Sequence, residues 1–319
     1  MTGLHPSRPR NGELVPVIRT VLGDIAPENL GVTLCHEHLF TNPPKWAQDQ
    51  DPDMVLDRVD AAIAEVADFD GLGGGALIEM TTADYGRNAT GLLAVAQASN
   101  VHIVSASGYQ KGIYYPDSVA TESIDEIAAR FVADVTAGID NTSAPAGVIK
   151  FGTCRTDEIR DDERKVQQAV ARAHLMTGAP ISTHCQAGTL GDLQANGFAD
   201  LGVDPDHVLI GHLDRNLDFG YLREVARTGV WLGFDHWTKP KYPSDELRVD
   251  YVRRLFDEGY TKIMVSGDLG RPSYQPHHGG GPGFAGLLKQ IRDRLPADIA
   301  ERVFVDNPRE FFAFTPREG

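Results

Sequence analysis

The chain has 319 residues, with 45 acidic side chains against 30 lysines and arginines and a net charge of −15. That balance argues against a general nucleic-acid binder or a binder of anionic membranes, which need a basic face, and leaves room for a local basic pocket that takes a small anion. With 41% hydrophobic residues the chain can bury a large core, and α/β barrels routinely use this length as one domain.

Residues 1–11 are polar and Pro-rich and are expected to be mobile or loosely docked. Residues 12–30 are expected to cap the fold, with Val15–Leu22 β-branched enough for a strand in a small hairpin over one end. A rhythm of short apolar runs then follows, at Gly31–Cys35, Gly75–Met80, Val101–Ala106, Gly147–Phe151, Pro180–Thr183, His207–Ile210, Val230–Phe234 and Lys262–Ser266. Between most of them lie stretches of helical period: Met54–Ala67, Ile124–Ala137, Asp162–Thr177, Asp218–Arg227 and Leu247–Glu258, often preceded by Asp or Ser as a cap. Eight strands alternating with helices predict a (β/α)8 TIM barrel in a single domain spanning 1–319. The rival is an open doubly wound sheet, which usually announces itself by GxGxxG after the first strand. Here the first strand ends in His36-Glu37-His38 instead, and the glycine-rich stretches Gly71–Gly75 and Gly279–Gly283 match no such motif and read as loops.

Cys35, Cys154 and Cys185 lie in or just after predicted strands with no paired spacing, so they read as small core residues rather than disulfides. The first residues contain no apolar signal-like core, and no later stretch is long and apolar enough to span a bilayer. A cytoplasmic protein is expected.

In a barrel, residues just past the C-terminal strand ends converge on one mouth whatever their separation in sequence. His36 and His38 end the first strand and, by strand alternation, share one face while Glu37 turns away. Taken alone, that pair reads equally as a chelate or as two hydrogen-bonded core histidines. Lys150 lies on the fourth strand, His184 ends the fifth, His212 the sixth, and Asp268 the eighth. A lone lysine on an apolar strand is costly to bury. The set would hold two divalent cations if carbon dioxide added to the Lys150 amine, since the resulting carbamate supplies two bridging oxygens. Such a pair activates a shared hydroxide for hydrolysis, and Asp268 would serve both as ligand and as general base.

The blocks GVTLCHEHLF, AGVIKFGT, ISTHC, VLIGHLDRN, IMVSGDLGRPSY and DNPREFF, in this order and spacing, resemble the phosphotriesterase family of the amidohydrolase superfamily over essentially the whole chain. The resemblance implies a binuclear centre in which His36, His38 and Asp268 hold one ion, His184 and His212 hold the other, and carbamylated Lys150 bridges them with a hydroxide. It implies zinc, with manganese or cobalt tolerated. The family includes phosphotriesterases, lactonases, carboxylic esterases and amide hydrolases, so the centre sets the reaction type and the loops set the substrate.

The homoserine-lactone branch typically has a long insertion after the last aspartate; here LGRPSYQPHHGGGPG runs directly into the helical stretch Phe284–Leu295, which favours a small, polar substrate. Lys239, Arg271 and Tyr274, on the loops after strands seven and eight, look like the phosphate-binding set of phosphorylated-furanose lactonases, and sulfonates or carboxylates would suit the same donors. Surface side chains are the alternative. Tyr109 is a further substrate-contact candidate, with core packing as its other reading, and Lys111 lies beside it. Arg87 is a candidate anion contact, and His236 and Trp237 candidates for shaping the pocket. The adjacent His277 and His278, in a Gly/Pro loop, read as solvent-facing. The function expected is hydrolysis of a small anionic lactone or carboxylic ester. The alternatives are an amidohydrolase of an N-acyl amino acid or sulfonate, an organophosphate phosphotriesterase and, outside catalysis, a metal-binding ligand receptor. A small molecule is the expected partner, with no nucleic acid or membrane, and a homodimer is a candidate assembly.

Overall fold

The computed structural model describes residues 15–317; the stretch 1–11, expected to be mobile, lies outside them. Ten strands are described: β1 Ile18–Thr20, β2 Gly23–Ile25, β3 Thr33–Glu37, β4 Ala76–Glu79, β5 His102–Gly108, β6 Ala146–Gly152, β7 Ile181–His184, β8 Val208–Ile210, β9 Trp231–Phe234 and β10 Ile263–Val265. β3 to β10 form one eight-stranded sheet in sequence order, every ladder parallel. With helices between successive strands, the sheet curls into a nearly closed (β/α)8 barrel.

Both faces of these strands are covered, so they read as continuous apolar runs rather than as alternating ones. Alternation reappears in the packing. Leu77, Ile103 and Ile149 pack outward under the helices, whereas Ile78, Val104 and Val148 fill the barrel interior. At the N-terminal end that interior is plugged by Ile18, Leu30, Phe311 and Phe312. The β1–β2 hairpin lies there as expected, with the Val21 N–H donating to the Ile103 carbonyl. A side chain at Gly147 would place its Cβ 2.2 Å from the Arg19 carbonyl oxygen, so glycine lets the hairpin seat against β6.

Among the described residues no ladder joins β10 to β3. The gap is bridged instead by the Asp268 N–H donating to the His36 carbonyl at 3.1 Å, and by Glu37. Its buried carboxylate accepts from the Ser266 hydroxyl at 2.6 Å and from the Gly267 and Leu269 N–H groups at 2.7 and 2.8 Å. Burial raises Glu37 to about 7, with these hydrogen bonds opposing the rise. Glu37 thus turns away from its two histidine neighbours, as alternation predicts, and staples the barrel shut. A register irregularity between Leu34 and Glu37 resets the phase of β3, so that Cys35 packs in the interior and His36, the next residue, also faces in.

Five segments differ from expectation. β3 continues to Glu37 rather than stopping at Cys35. The helix expected at Met54–Ala67 runs from Val59 to Gly71, because Asp51–Leu56 instead crosses the mouth, where Leu56 pairs with Thr41 and Asp51 with Arg271. Helices at Lys45–Gln50, Ala89–Ala98 and Gly191–Asp200 had no clear periodic signal; Ala89–Ala98 is nearly all small and apolar, so no polar face marks it. The other expected helices agree within a few residues, with a Ser123–Glu126 capping box opening Ile124–Thr136 and Asp218 capping Phe219–Arg227. The three cysteines are free, two of them buried.

Candidate metal centre

At the C-terminal end of the barrel the apolar interior gives way to a cluster of histidines. The rings of His36 and His212 are 4.7 Å apart, those of His184 and His212 4.4 Å, and those of His36 and His38 5.9 Å. Lys150 reaches up from β6 with its Nζ 3.2 Å from His36 Nε2 and 3.1 Å from the Met80 carbonyl oxygen. Asp268 places Oδ1 3.2 Å from His38 Nε2 and Oδ2 3.3 Å from His236 Nε2. All six residues expected to hold metal therefore meet in one place, although they are drawn from five strands.

A single ion could be met by ligand atoms of His36, His38 and Asp268, which lie within 4.8 Å of one another, as do those of His36, His212 and Asp235 and those of His212, His236 and Asp268. The chemistry of these donors fits divalent cations. Burial pushes His36 and His184 well below the usual histidine range, so both present neutral, lone-pair-bearing imidazoles. His38 Nδ1 lies 2.6 Å from the Thr81 hydroxyl and His212 Nδ1 2.7 Å from Asp235, which leaves Nε2 of each for a ligand. His36 Nδ1 and His184 Nδ1 are buried without a hydrogen-bond partner, a costly state that a cation at His184 Nδ1 would relieve. Burial lowers Lys150 to about 8, with Asp268 and Asp235 pulling the other way, so a share of the amine is neutral near physiological pH, the form that can take up carbon dioxide. For Asp268, burial alone would raise the carboxyl; Lys239, His38 and His236 outweigh it and hold the group well below the usual carboxylate range.

Two of the candidate ligand residues also carry local strain. Seven non-glycine residues among those described have positive φ, and His212 and Asp268, at 62° and 49°, are two of them. Left-handed backbone costs such residues about 1 kcal/mol or more and persists where the surroundings over-determine it, as at ligand sites.

Asp235 is the main site residue that the strand-end search passed over. Fully buried, it accepts from the His212 N–H at 3.0 Å, faces His236 Nδ1 at 3.0 Å and lies 3.5 Å from His36 Nδ1. Beneath it, the buried Arg248 donates to Asp214 at 2.6 Å, and Asp214 accepts from the His236 N–H at 2.9 Å. The signal was available, because Asp235 follows Phe234 at the end of an apolar run just as the other candidates do.

Above the cluster opens a cavity of about 150 Å³, floored by His38, His184, His236 and Asp268. Met54, Tyr85 and Tyr114 form one wall. Lys239, Arg271 and Tyr274 are brought together in the lining as expected, and Lys111, Arg215, Lys241 and Tyr242 join them. Five cationic side chains against one carboxylate, in a chain of net charge −15, make this mouth a strongly basic spot on an acidic protein. Lys239 donates to the Asp268 carboxylate at 3.1 Å, and Arg271 to Asp51 at 2.5 Å. Burial lowers Lys111 to about 8, and the nearby Arg215 charge adds to the effect.

Three expectations do not survive the geometry. Tyr109 is not among the residues lining the cavity: its ring packs edge-on against Phe131, and its hydroxyl accepts from Arg130 at 2.5 Å, so it belongs to the core. Its neighbours Gln110 and Lys111 take the lining position. Arg87 is buried in ion pairs with Asp134 and Asp140 and contacts no cavity residue among its hydrogen-bond partners. Trp237 is fully buried in the outer core, whereas His236 does line the cavity. His277 is exposed and pairs with Asp68, as expected of a solvent-facing loop, whereas His278 is half-buried with its Nε2 covered.

An eight-stranded barrel whose mouth gathers four histidines, a lysine and an aspartate defines an α/β barrel with a candidate metal site. The comparisons make that class specific. Residues 16–312 match the phosphotriesterase family, and the chain belongs to it. It is 32% identical over 331 residues to a phospho-furanose lactonase of Mycoplasmopsis synoviae, covering 94% of this chain and 93% of that protein. A solved lactonase of Listeria monocytogenes superposes with a TM-score of 0.89 at 33% identity, covering 93% of this chain and 99% of that one. The phosphotriesterase homology protein of Escherichia coli, solved with phosphate in its active site, superposes with a TM-score of 0.84 at 32% identity, covering 89% and 99%.

Proposed function

We propose that this protein is a metal-dependent hydrolase of a small lactone or carboxylic ester that carries an anionic group remote from the scissile bond, a phosphate above all. The observation that carries the reading is the cavity: five cations and one carboxylate directly over a histidine–aspartate cluster. Its size, about 150 Å³, and the folding of the segment after Asp268 into two short turns, Pro272–Tyr274 and Pro276–His278, suit a compact substrate rather than a long acyl chain. The phospho-furanose lactonase and the phosphate-bound relative support an anion of this kind.

His36, His38, His184, His212, carbamylated Lys150 and Asp268 are the residues that would hold two divalent cations. Zinc is the expected metal and manganese or cobalt the substitutes. Bound there, the ions would lower the pKa of a shared water and polarise the substrate carbonyl. The chain's own groups do the rest. Asp268, kept ionised by its surroundings, accepts the proton as water oxygen adds to the carbonyl carbon. His236, whose Nε2 is 3.3 Å from Asp268 Oδ2 and whose Nδ1 is steadied by Asp235, stands next in line for that proton. As the ring C–O bond breaks, the departing alkoxide takes a proton and leaves as the hydroxyl of a hydroxy acid. Lys239, Arg271 and Tyr274 grip the remote anion, so that its binding energy orients the carbonyl.

A panel containing a phosphorylated γ-lactone, its dephosphorylated counterpart, an N-acyl amide and an aryl phosphotriester tests this on protein loaded with zinc or manganese. The phosphorylated lactone should give the highest kcat/KM, and chelator should abolish turnover. Arg271→Met should cost about 2–3 kcal/mol in kcat/KM on the phosphorylated lactone, the scale of a charged hydrogen bond, and almost nothing on the neutral one. Equal losses on both would show that the basic wall is not an anion grip.

A further inference from the structure

Four of the five cations of the mouth fall into two groups with different partners, and the fifth, Lys241, lies between them over the Tyr242 and Tyr274 rings at 5.1 and 5.7 Å. Lys239 and Arg271 stand on the Asp268 side, and each already faces a carboxylate, Asp268 for the first and Asp51 and Asp53 for the second. Lys111 and Arg215 stand next to His184 and His212. Lys111 Nζ lies 3.4 Å from His184 Nε2 and donates to the Gln186 side-chain oxygen at 3.0 Å. Arg215 follows His212 by three residues in the short turn Leu213–Arg215, and its guanidinium rests on the Tyr242 ring at 4.5 Å. Among the described residues neither has a carboxylate within ion-pair reach. Arg215 Nε is buried with no hydrogen-bond partner. A desolvated donor of this kind is costly unless an acceptor arrives with the ligand.

We infer that Lys111 and Arg215 form a second anion subsite at the reacting end of the substrate, serving the scissile carbonyl oxygen and the carboxylate that replaces it, while Lys239, Arg271 and Tyr274 serve the remote anion. The inference rests on the hydrolase reading above and assigns within it a role to these two cations.

Charge decides the direction. When water oxygen adds to the carbonyl carbon, the carbonyl oxygen gains negative charge. It is repelled by the Asp268 carboxylate, which takes the proton. Lys111 and Arg215 are two cations of the lining that lack acid partners, one of them with a bare buried N–H. After the ring C–O bond breaks, the same oxygen becomes part of the product carboxylate, and the same donors hold it. Donors pre-aimed at developing charge act on kcat, because the neutral ground-state carbonyl engages them less than the oxyanion does. Lys111 also keeps a donor to spare: Gln186 and His184 engage at most two of its three N–H groups.

The test compares wild type, Lys111→Met, Arg215→Met and Arg271→Met, all loaded with zinc and checked for metal content, on the phosphorylated γ-lactone and on its dephosphorylated counterpart. Lys111→Met should lose kcat by roughly 10²-fold, the scale for one oxyanion donor, equally on both substrates and with little change in KM. Arg215→Met should act in the same direction. Lys111→Arg should recover part of the loss, which a purely steric role would not allow. A readout independent of turnover is calorimetric binding of 4-hydroxybutyrate, the product end without phosphate, to the loaded proteins. It should weaken in Lys111→Met and Arg215→Met and stay unchanged in Arg271→Met. Loss confined to the phosphorylated substrate would assign Lys111 and Arg215 to the remote-anion grip and overturn the inference, as would unchanged kcat or loss of metal in Lys111→Met. An Arg271→Met loss that is equal on the phosphorylated and the dephosphorylated lactone, or absent on both, with the Lys111→Met result as expected, would overturn the remote-anion reading and leave this one standing.

Discussion

The two ends of the barrel are built from the same eight strands and could hardly differ more. At the floor, Ile18, Leu30, Phe311 and Phe312 close the interior with hydrocarbon, and the helix Asn307–Phe312 and the β1–β2 hairpin seal it from outside. At the mouth, a few residues further along each strand, the interior holds His36, Lys150, His184 and His212, each nearly or fully buried. Buried apolar groups stabilise by about 25 cal/mol per Å² removed from water, whereas buried charges and unpaired imidazoles cost free energy unless partners arrive. The floor therefore supports a mouth whose polar groups are costly to bury.

The largest effect that would sharpen this contrast is at Lys150. Lys150→Ala should bind fewer than two divalent ions and lose activity by at least about 10³-fold, while thermal stability of the metal-free protein should hold or rise because a buried amine is gone. Full metal content by elemental analysis together with full activity would remove Lys150 from the centre. At the opposite end, Phe312→Ala should lower stability by about 3–5 kcal/mol, the scale for a buried aromatic, and leave metal content and kcat/KM of the folded fraction unchanged. If denaturant melts show that loss but the folded protein also loses metal, the two ends are coupled and the division fails. A smaller effect is expected at Asp235. Asp235→Asn keeps the shape of the side chain but removes the charge that steadies His212 and His236, and should weaken metal affinity by about 10- to 100-fold, the range for an outer partner of a metal-bound histidine. Competition with a chelator of known affinity measures this, and an unchanged constant would reduce Asp235 to packing.

The strand order and the positions of the metal-type residues were legible because both depend on local chemistry. A run such as GVIKF is too apolar for the surface and too short for a buried helix. A lysine within it, or a histidine at its end, stands out against that background. Barrel geometry then does the rest, since every C-terminal strand end faces one mouth. Even Glu37 followed the period of two, although its task of closing β10 onto β3 was not visible.

What only the tertiary structure decided is which polar side chain faces which neighbour across the loops. Tyr109 and Lys111 lie two residues apart in SGYQKG, and nothing local says that the tyrosine turns to Phe131 and Arg130 while the lysine enters the cavity. Arg87 looks like an anion contact until Asp134 and Asp140, far along the chain, arrive to neutralise it. Arg271 acquires its carboxylate from Asp51, 220 residues away. Asp235 becomes a hub only because β8 and β3 bring His212 and His36 beside it. Strands are selected by the period of their own side chains, a property of a few adjacent residues. Ion pairs and hydrogen bonds are selected by distance in space, and that distance exists only after the barrel has closed.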